Sequence, residues 1–206
     1  MIPLHRLRFW TAVASVCAAA SLALSYFLPI WSFLLMAPQY PQGLKLLVYL
    51  DGVRGDVTEI DIINHYIGMA KLADAAQIER ALSKYILGLL VLWALVWPYL
   101  ALKIRMMRRW GHLVLLGFPI GFVSVFFVWL AYFGHNLDPH AIMRLPPFTP
   151  TLVGTGKIGQ FLTHSRPNWG FLLMLLAAGL SFFQYKCVKR ICEDSQERVP
   201  NRGNNS

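Results

Sequence analysis

The chain is dominated by four long stretches without a charged side chain, separated by more polar segments. These stretches cover residues 9–36, 85–102, 113–134 and 169–185. A helix needs about 20 apolar residues to cross a hydrocarbon core roughly 30 Å thick, and the four stretches are of about that length or longer. The pattern therefore predicts four transmembrane helices over these ranges.

The first polar segment, residues 37–84, carries strand, turn and helix signals. Alternating side chains from Leu44 to Asp51 predict a short strand, and Asp51-Gly52 predicts a turn after it. Isoleucines at helical spacing predict an amphipathic helix over Thr58–Met69. A more polar helix, Ala73–Tyr85, is expected to continue into the second span.

The second polar segment, residues 135–168, has five prolines and three glycines, which favours irregular backbone over long helices or strands. An irregular loop of this length is usually functional or disordered. The short basic connection 103–112 predicts an antiparallel hairpin of spans two and three. The tail beyond Cys192 is expected to be disordered.

The predicted fold class is thus an all-α integral membrane protein. It has four transmembrane helices and a small extracytoplasmic cap, made of a strand and turn plus an amphipathic helix. The composition agrees, because 56% hydrophobic residues, 14% charged residues and a mean hydropathy of +0.49 suit lipid as solvent.

The positive charges are unevenly distributed. Of the 19 Lys and Arg, 11 lie in residues 1–8, 103–112 and 186–206, and eight are spread over the two longer polar segments. The positive-inside rule then predicts a multi-pass membrane protein with both termini in the cytoplasm. Topology and anionic lipid explain the net charge of +9, so it does not indicate nucleic-acid binding.

The first apolar stretch also resembles a signal peptide. Arg6 and Arg8 precede it, and Ala23-Leu24-Ser25 offers small residues for a peptidase. The stretch continues past this point to Met36, however, which favours an uncleaved anchor that is kinked or ended at Pro29. The three cysteines lie outside the polar segments 37–84 and 135–168, so no disulfide is expected there.

The sharpest candidate chemistry is in Asn64-His65-Tyr66-Ile67-Gly68-Met69. His65 and Met69 are four residues apart and share one helix face, with Asp61 one turn earlier. An imidazole with a thioether suits copper, especially Cu(I), and also axial ligation of haem iron. Asp61 could orient the imidazole of His65 by accepting its second N–H.

Further donors are available in the second polar segment. We predict a metal site formed by His65, Met69, His135, His140 and His164. Asp61 would not bind the metal but would orient one of its ligands. Each side chain also has an ordinary interpretation, as packing or as a solvated loop histidine. No catalytic residue is predicted. The four spans lack Lys, Arg, Asp and Glu, which disfavours a proton-coupled pump, and the glycines of residues 151–159 lack phosphate-loop spacing.

Four motifs carry a resemblance to known proteins: Ala37–Gly43, Gly55–Val57, Asn64–Met69 and Gly154–Phe161. Together they resemble a family of small bacterial membrane proteins with an NHYIGM-type signature, over the two outer loops and about 40% of the chain. The resemblance implies an accessory role beside periplasmic copper enzymes or respiratory chains, for example nitrous-oxide reductase.

The expected function is that of a membrane accessory protein without enzymatic activity. It would handle copper or haem on the periplasmic side and assist a metalloenzyme, with the lipid bilayer and a membrane or periplasmic protein as partners. A role without any cofactor is equally open. The alternative is a structural subunit of a respiratory or oxidase complex, and a membrane enzyme acting on lipid or quinone lacks a recognisable catalytic set.

Overall fold

The computed structural model describes residues 3–197, in which helices and one sheet alternate along the chain. The helices are α1 (Leu4–Ser25), α2 (Val57–Ile67), α3 (Gln77–Lys103), α4 (Arg105–Trp110), α5 (Leu113–His135) and α6 (Trp169–Glu197), with a 3-10 turn at Leu72–Asp74. The strands are β1 (Trp31–Ala37), β2 (Tyr40–Val48), β3 (Val53–Gly55), β4 (Gly154–Ile158) and β5 (Phe161–Pro167).

Four of these helices are long and apolar enough to cross a membrane. They are α1, α3, α5 and the Trp169–Ser195 part of α6, with mean hydropathies between 1.6 and 2.4 over their most apolar windows. The prediction of four helices with the length and composition of membrane spans is therefore confirmed. The second, third and fourth predicted spans lie within α3, α5 and α6.

The all-α fold class is wrong, because residues 3–197 are 62% helix and also form a five-stranded antiparallel sheet that holds 16% of them. The strand order is β3-β2-β1-β5-β4. The main cause lies in the apolar stretch 9–36, which is not one helix: α1 ends at Ser25 and β1 begins at Trp31. An uncharged run has no polar positions whose spacing would distinguish a buried strand from a helix. The sequence pattern therefore predicts one long helix where α1 and β1 follow each other.

The second polar segment also differs from the irregular backbone predicted for it. Residues 154–167 form a hairpin of β4 and β5, in which Ile158 faces Phe161 and Gly159 supplies the positive φ of +58° at the turn. β5 then pairs along β1, with Leu34 opposite His164. This pairing joins strands more than 120 residues apart, so no local pattern could indicate it.

The first polar segment follows its prediction more closely. β2 overlaps the strand predicted over Leu44–Asp51, but it begins earlier, at Tyr40. α2 corresponds to the predicted amphipathic helix, and a helix does run on from Gln77 through the second span. α6 extends to Glu197, so disorder beyond Cys192 is wrong for residues 193–197, and residues 198–206 lie outside the described part of the chain.

The chain divides into two compact units. The helical unit comprises Met1–Leu24, Leu87–Ile120 and Leu173–Ser206, and the sheet unit comprises Ser25–Ile86 and Gly121–Leu172. In the sheet unit, side chains of β1, β2, β5 and α2 form one buried cluster. In the helical unit, smaller clusters join α1 to α6 and α3 to α6.

Trp31 holds the sheet unit together at its centre. Its indole is 2% exposed and packs against the rings of Phe126 and Phe171, with centroids 5.5 and 5.4 Å away. The indole N–H donates to the carbonyl of Leu152 at 2.9 Å and contacts the hydroxyl of Ser165 at 2.8 Å. β1 is thereby tied both to β5 and to the loop before β4.

Candidate functional site

The NHYIGM signature lies at the C-terminal end of α2. Ile60, Ile63 and Ile67 are buried on one face of this helix, which leaves His65 exposed on another. Gly68 ends the helix in the left-handed conformation, with φ of +79°, and the N–H of Met69 donates to the carbonyl of Asn64 at 2.8 Å. The Met69 side chain, which is partly buried, packs against the core of the sheet unit.

Two backbone hydrogen bonds join the second polar segment to this helix end. The N–H of Asp138 donates to the carbonyl of Gly68, and the N–H of Met143 donates to the carbonyl of Tyr66, both at 2.9 Å. A Cβ at position 68 would lie 2.9 Å from both the backbone N and O of Asp138. Glycine is therefore required here for space as well as for φ.

This contact creates an open cavity of about 500 Å³ between the end of α2 and residues 136–142. Its chemically active lining consists of the imidazoles of His65 and His140, the thioether of Met69 and the carboxylate of Asp138. Three of the five predicted metal ligands thus line one cavity, although they come from segments about 70 residues apart.

Asp138 is the charged group of the cavity that sequence reasoning missed. Its carboxylate accepts the backbone N–H of His140 at 2.8 Å, and it lies 3.3 Å from Nδ1 of the same residue. The hydrogen bond from the backbone N–H of His140 is the main cause that lowers the pKa of Asp138. Burial opposes it, and the charges of His140 and His65 add to the lowering. One sequence signal indicates this contact. In Asp138-Pro139-His140, the aspartate side chain can accept the backbone N–H of the residue two positions later.

The remaining predicted site residues lie elsewhere in the sheet unit. The carboxylate of Asp61 accepts the backbone N–H of Leu72 at 2.8 Å, so it holds the segment after α2. Nδ1 of His135 lies 2.8 Å from the carbonyl of Ala131, one turn back in α5. His164 is on β5, where its Nδ1 contacts the hydroxyl of Thr155 at 2.9 Å. Neither His135 nor His164 lines the cavity.

The cavity is not a closed metal cage. Among residues 3–197, no three His, Cys, Asp or Glu side chains lie close enough together to hold a metal ion. Met69 adds a thioether, the third type of donor beside the two imidazoles and the carboxylate, and the His140 side chain is 92% exposed. An open cavity with separated donors differs from the closed ligand set of a structural ion.

Exposed apolar side chains lie on α2 and on the loop that lines the cavity. Ile62 and Tyr66 of α2 are 50% and 49% exposed, although the opposite face of the same helix is buried. Ile142 is 75% exposed and precedes Met143, whose N–H is bonded to Tyr66. Exposed apolar side chains grouped in this way are typical of surfaces that contact another molecule.

No protein-family model matches the chain, and no curated protein sequence is significantly similar to it.

Proposed function

We propose that this chain is a membrane accessory protein that handles copper at the cavity between α2 and residues 136–142, in support of a metalloenzyme. The observation that carries the proposal is the pair of backbone hydrogen bonds from Asp138 and Met143 to α2. They bring two imidazoles, one thioether and one carboxylate around the same open space.

The donor set supports copper by its chemistry. His65 and His140 would supply imidazole nitrogens and Met69 a thioether sulfur, a combination that suits Cu(I). Asp138 adds a negative charge at the rim, and its contact with Nδ1 of His140 would leave Nε2 of that ring to face the metal. The same His and Met pair could ligate haem iron axially, which is the second cofactor we consider.

The charge distribution supports a location. Eleven of 19 Lys and Arg lie in the termini and in the connection 103–112. Under the positive-inside rule these parts would be cytoplasmic, which would place the polar segments 37–84 and 135–168, with the cavity, on the periplasmic side of a bacterial inner membrane. Labelling of single cysteines introduced at Lys157 and Lys103 with an impermeant reagent tests this orientation.

Copper analysis of the detergent-solubilised protein tests the function. We expect about one Cu(I) per chain after anaerobic loading and removal of free metal. His65→Ala with His140→Ala should abolish retention, and Met69→Leu, which keeps the packing volume, should weaken it. His135→Ala with His164→Ala is the matched control and should retain copper. Equal retention in the two double variants would refute the proposed site.

A second candidate, a structural subunit of a respiratory or oxidase complex, is favoured by the exposed apolar side chains of Ile62, Tyr66 and Ile142. Such a subunit would co-purify with a stoichiometric partner and carry no copper. Ile62→Ser should weaken the binding of that partner, whereas the same variant should leave copper retention intact if the cavity is the functional site, because Ile62 does not line the cavity.

A further inference from the structure

The short helix α4 occupies a defined place in the helical unit. It connects α3 to α5, which are both long enough to cross a membrane, and one residue separates it from α3 and two from α5. A connection this short keeps α4 at the membrane surface when its two neighbours cross the bilayer. The lipid headgroups are then the nearest surroundings of its exposed side chains.

Two tryptophans hold α4 against α3. The indole N–H of Trp97 donates to the carbonyl of Met107 at 3.0 Å, and that of Trp93 donates to the carbonyl of Gly111 at 2.9 Å. Trp97 is completely buried, and a Cβ at Gly111 would lie 1.8 Å from its Nε1. A carbonyl of α4 and that of the following Gly111 therefore accept hydrogen bonds from α3, which hold α4 against that helix.

The outward side chains of α4 are basic and apolar. Arg105 and Arg109 are exposed, and Met106 and Trp110 are 63% and 56% exposed. Across residues 3–197, the ion pairs involve none of the arginines of α4. Arg109 lies over the ring of Trp110 at 5.3 Å, an arrangement of cation and aromatic ring that is common at membrane interfaces.

Neighbouring helices bring more basic groups to the same end of the helical unit. Leu7 of α1 packs with Cys187 and Ile191 of α6, and Trp97 of α3 packs with Val188 of α6. The basic residues on these stretches are Arg6, Arg8, Lys103, Lys186, Lys189 and Arg190. The carboxylates of Glu193 and Asp194 offset only part of this charge.

We propose that α4 binds the phosphate headgroup of an anionic phospholipid. The guanidinium groups of Arg105, Arg108 and Arg109 would donate to the phosphate oxygens, for which their planar geometry is suited. Met106 and Trp110 would lie beside the glycerol and upper acyl chain. The fixed contact of α4 with Trp93 and Trp97 makes this a preformed site with a preferred lipid.

Lipid retention by the purified full-length protein tests the proposal. Protein in nanodiscs of phosphatidylglycerol and phosphatidylcholine is extracted, and the bound lipids are counted by native mass spectrometry. We expect retained phosphatidylglycerol in the wild type. R105Q/R108Q/R109Q should lower its relative affinity roughly 100-fold, since each basic residue near an anionic surface contributes about fivefold.

Matched controls separate a site from general charge. K71Q/K84Q/K157Q removes the same number of charges from exposed positions of the sheet unit and should leave retention unchanged. R105K/R108K/R109K keeps the positive charges but removes the planar guanidinium groups, so it should retain an intermediate amount of phosphatidylglycerol. In the wild type, preference should fall when salt rises from about 0.05 to about 0.5 M. Equal retention of both lipids, salt-independent retention, or equal loss in the K71Q/K84Q/K157Q control would overturn the proposal.

Discussion

The Gly68→Ala variant tests whether the contact between α2 and residues 136–142 builds the cavity. Two costs apply. An alanine in the left-handed conformation that Gly68 adopts costs about 1–2 kcal/mol. The new Cβ would also lie 2.8 Å from Cβ of Ala141 and 2.9 Å from two backbone atoms of Asp138. These backbone atoms cannot move away without displacing the whole segment. The hydrogen bond from Asp138 to residue 68 should therefore break, which lowers the free energy of unfolding by about 1 kcal/mol more.

Gly154→Ala is the matched control for this variant. Gly154 also has a positive φ, of +98°, but a Cβ there would meet no atom within 4 Å. Its free energy of unfolding should therefore fall only by the cost of placing an alanine at positive φ. That of the Gly68→Ala variant should fall by about 1 kcal/mol more. Because only Gly68 lies in the cavity, only its substitution should also weaken copper retention.

The free energy of unfolding of both variants is measured by chemical unfolding in the same detergent, with tryptophan fluorescence as the signal. Copper retention is measured on the same preparations. The reasoning is refuted if Gly68→Ala is no less stable than Gly154→Ala, because the close approach of residues 138 and 141 would then not exist. It is equally refuted if both variants retain copper as the wild type does.

Two further predictions concern the core and the cavity. Trp31→Phe keeps most of the ring packing but removes the N–H that reaches Leu152 and Ser165, so it should lower the free energy of unfolding by about 1–3 kcal/mol in a denaturant titration. The lowered pKa of Asp138 means that its stabilising hydrogen bonds are fully present above its ordinary pKa of 3.8 and are lost as the pH falls through the lowered value. An NMR titration of the His140 amide should show this transition below pH 3.8, and Asp138→Asn should remove it.

The length of the uncharged stretches was enough to predict the helices of membrane-spanning length, because an uncharged stretch of about 20 residues is typical of a membrane span. The same criterion failed at residues 26–37. There the apolar character continues beyond Ser25, and only the end of α1 and the pairing of β1 with the distant β5 show that a strand follows. Local sequence carries no information about a partner strand that follows more than 120 residues later.

The candidate site was predictable on one side only. Helical spacing placed His65 at the end of α2, because its isoleucines fix the buried face. The predicted shared helix face of His65 and Met69 is wrong, because α2 ends at Ile67 and Met69 follows the left-handed Gly68. The position of His140 depends instead on backbone hydrogen bonds to Gly68 and Tyr66, which no side-chain pattern encodes. His135 was expected at the site because it ends α5, but its imidazole turns back to its own helix.

The central place of β1 in the sheet constrains how the protein is made. β1 pairs on one side with β2, which follows it directly, and on the other with β5, which ends at Pro167. During synthesis the ribosome must therefore deliver about four-fifths of the chain before the second edge of β1 is covered. Until then an apolar strand edge stays open to chaperones, proteases and other nascent chains, so quality control of this protein should act mainly on chains arrested before β5.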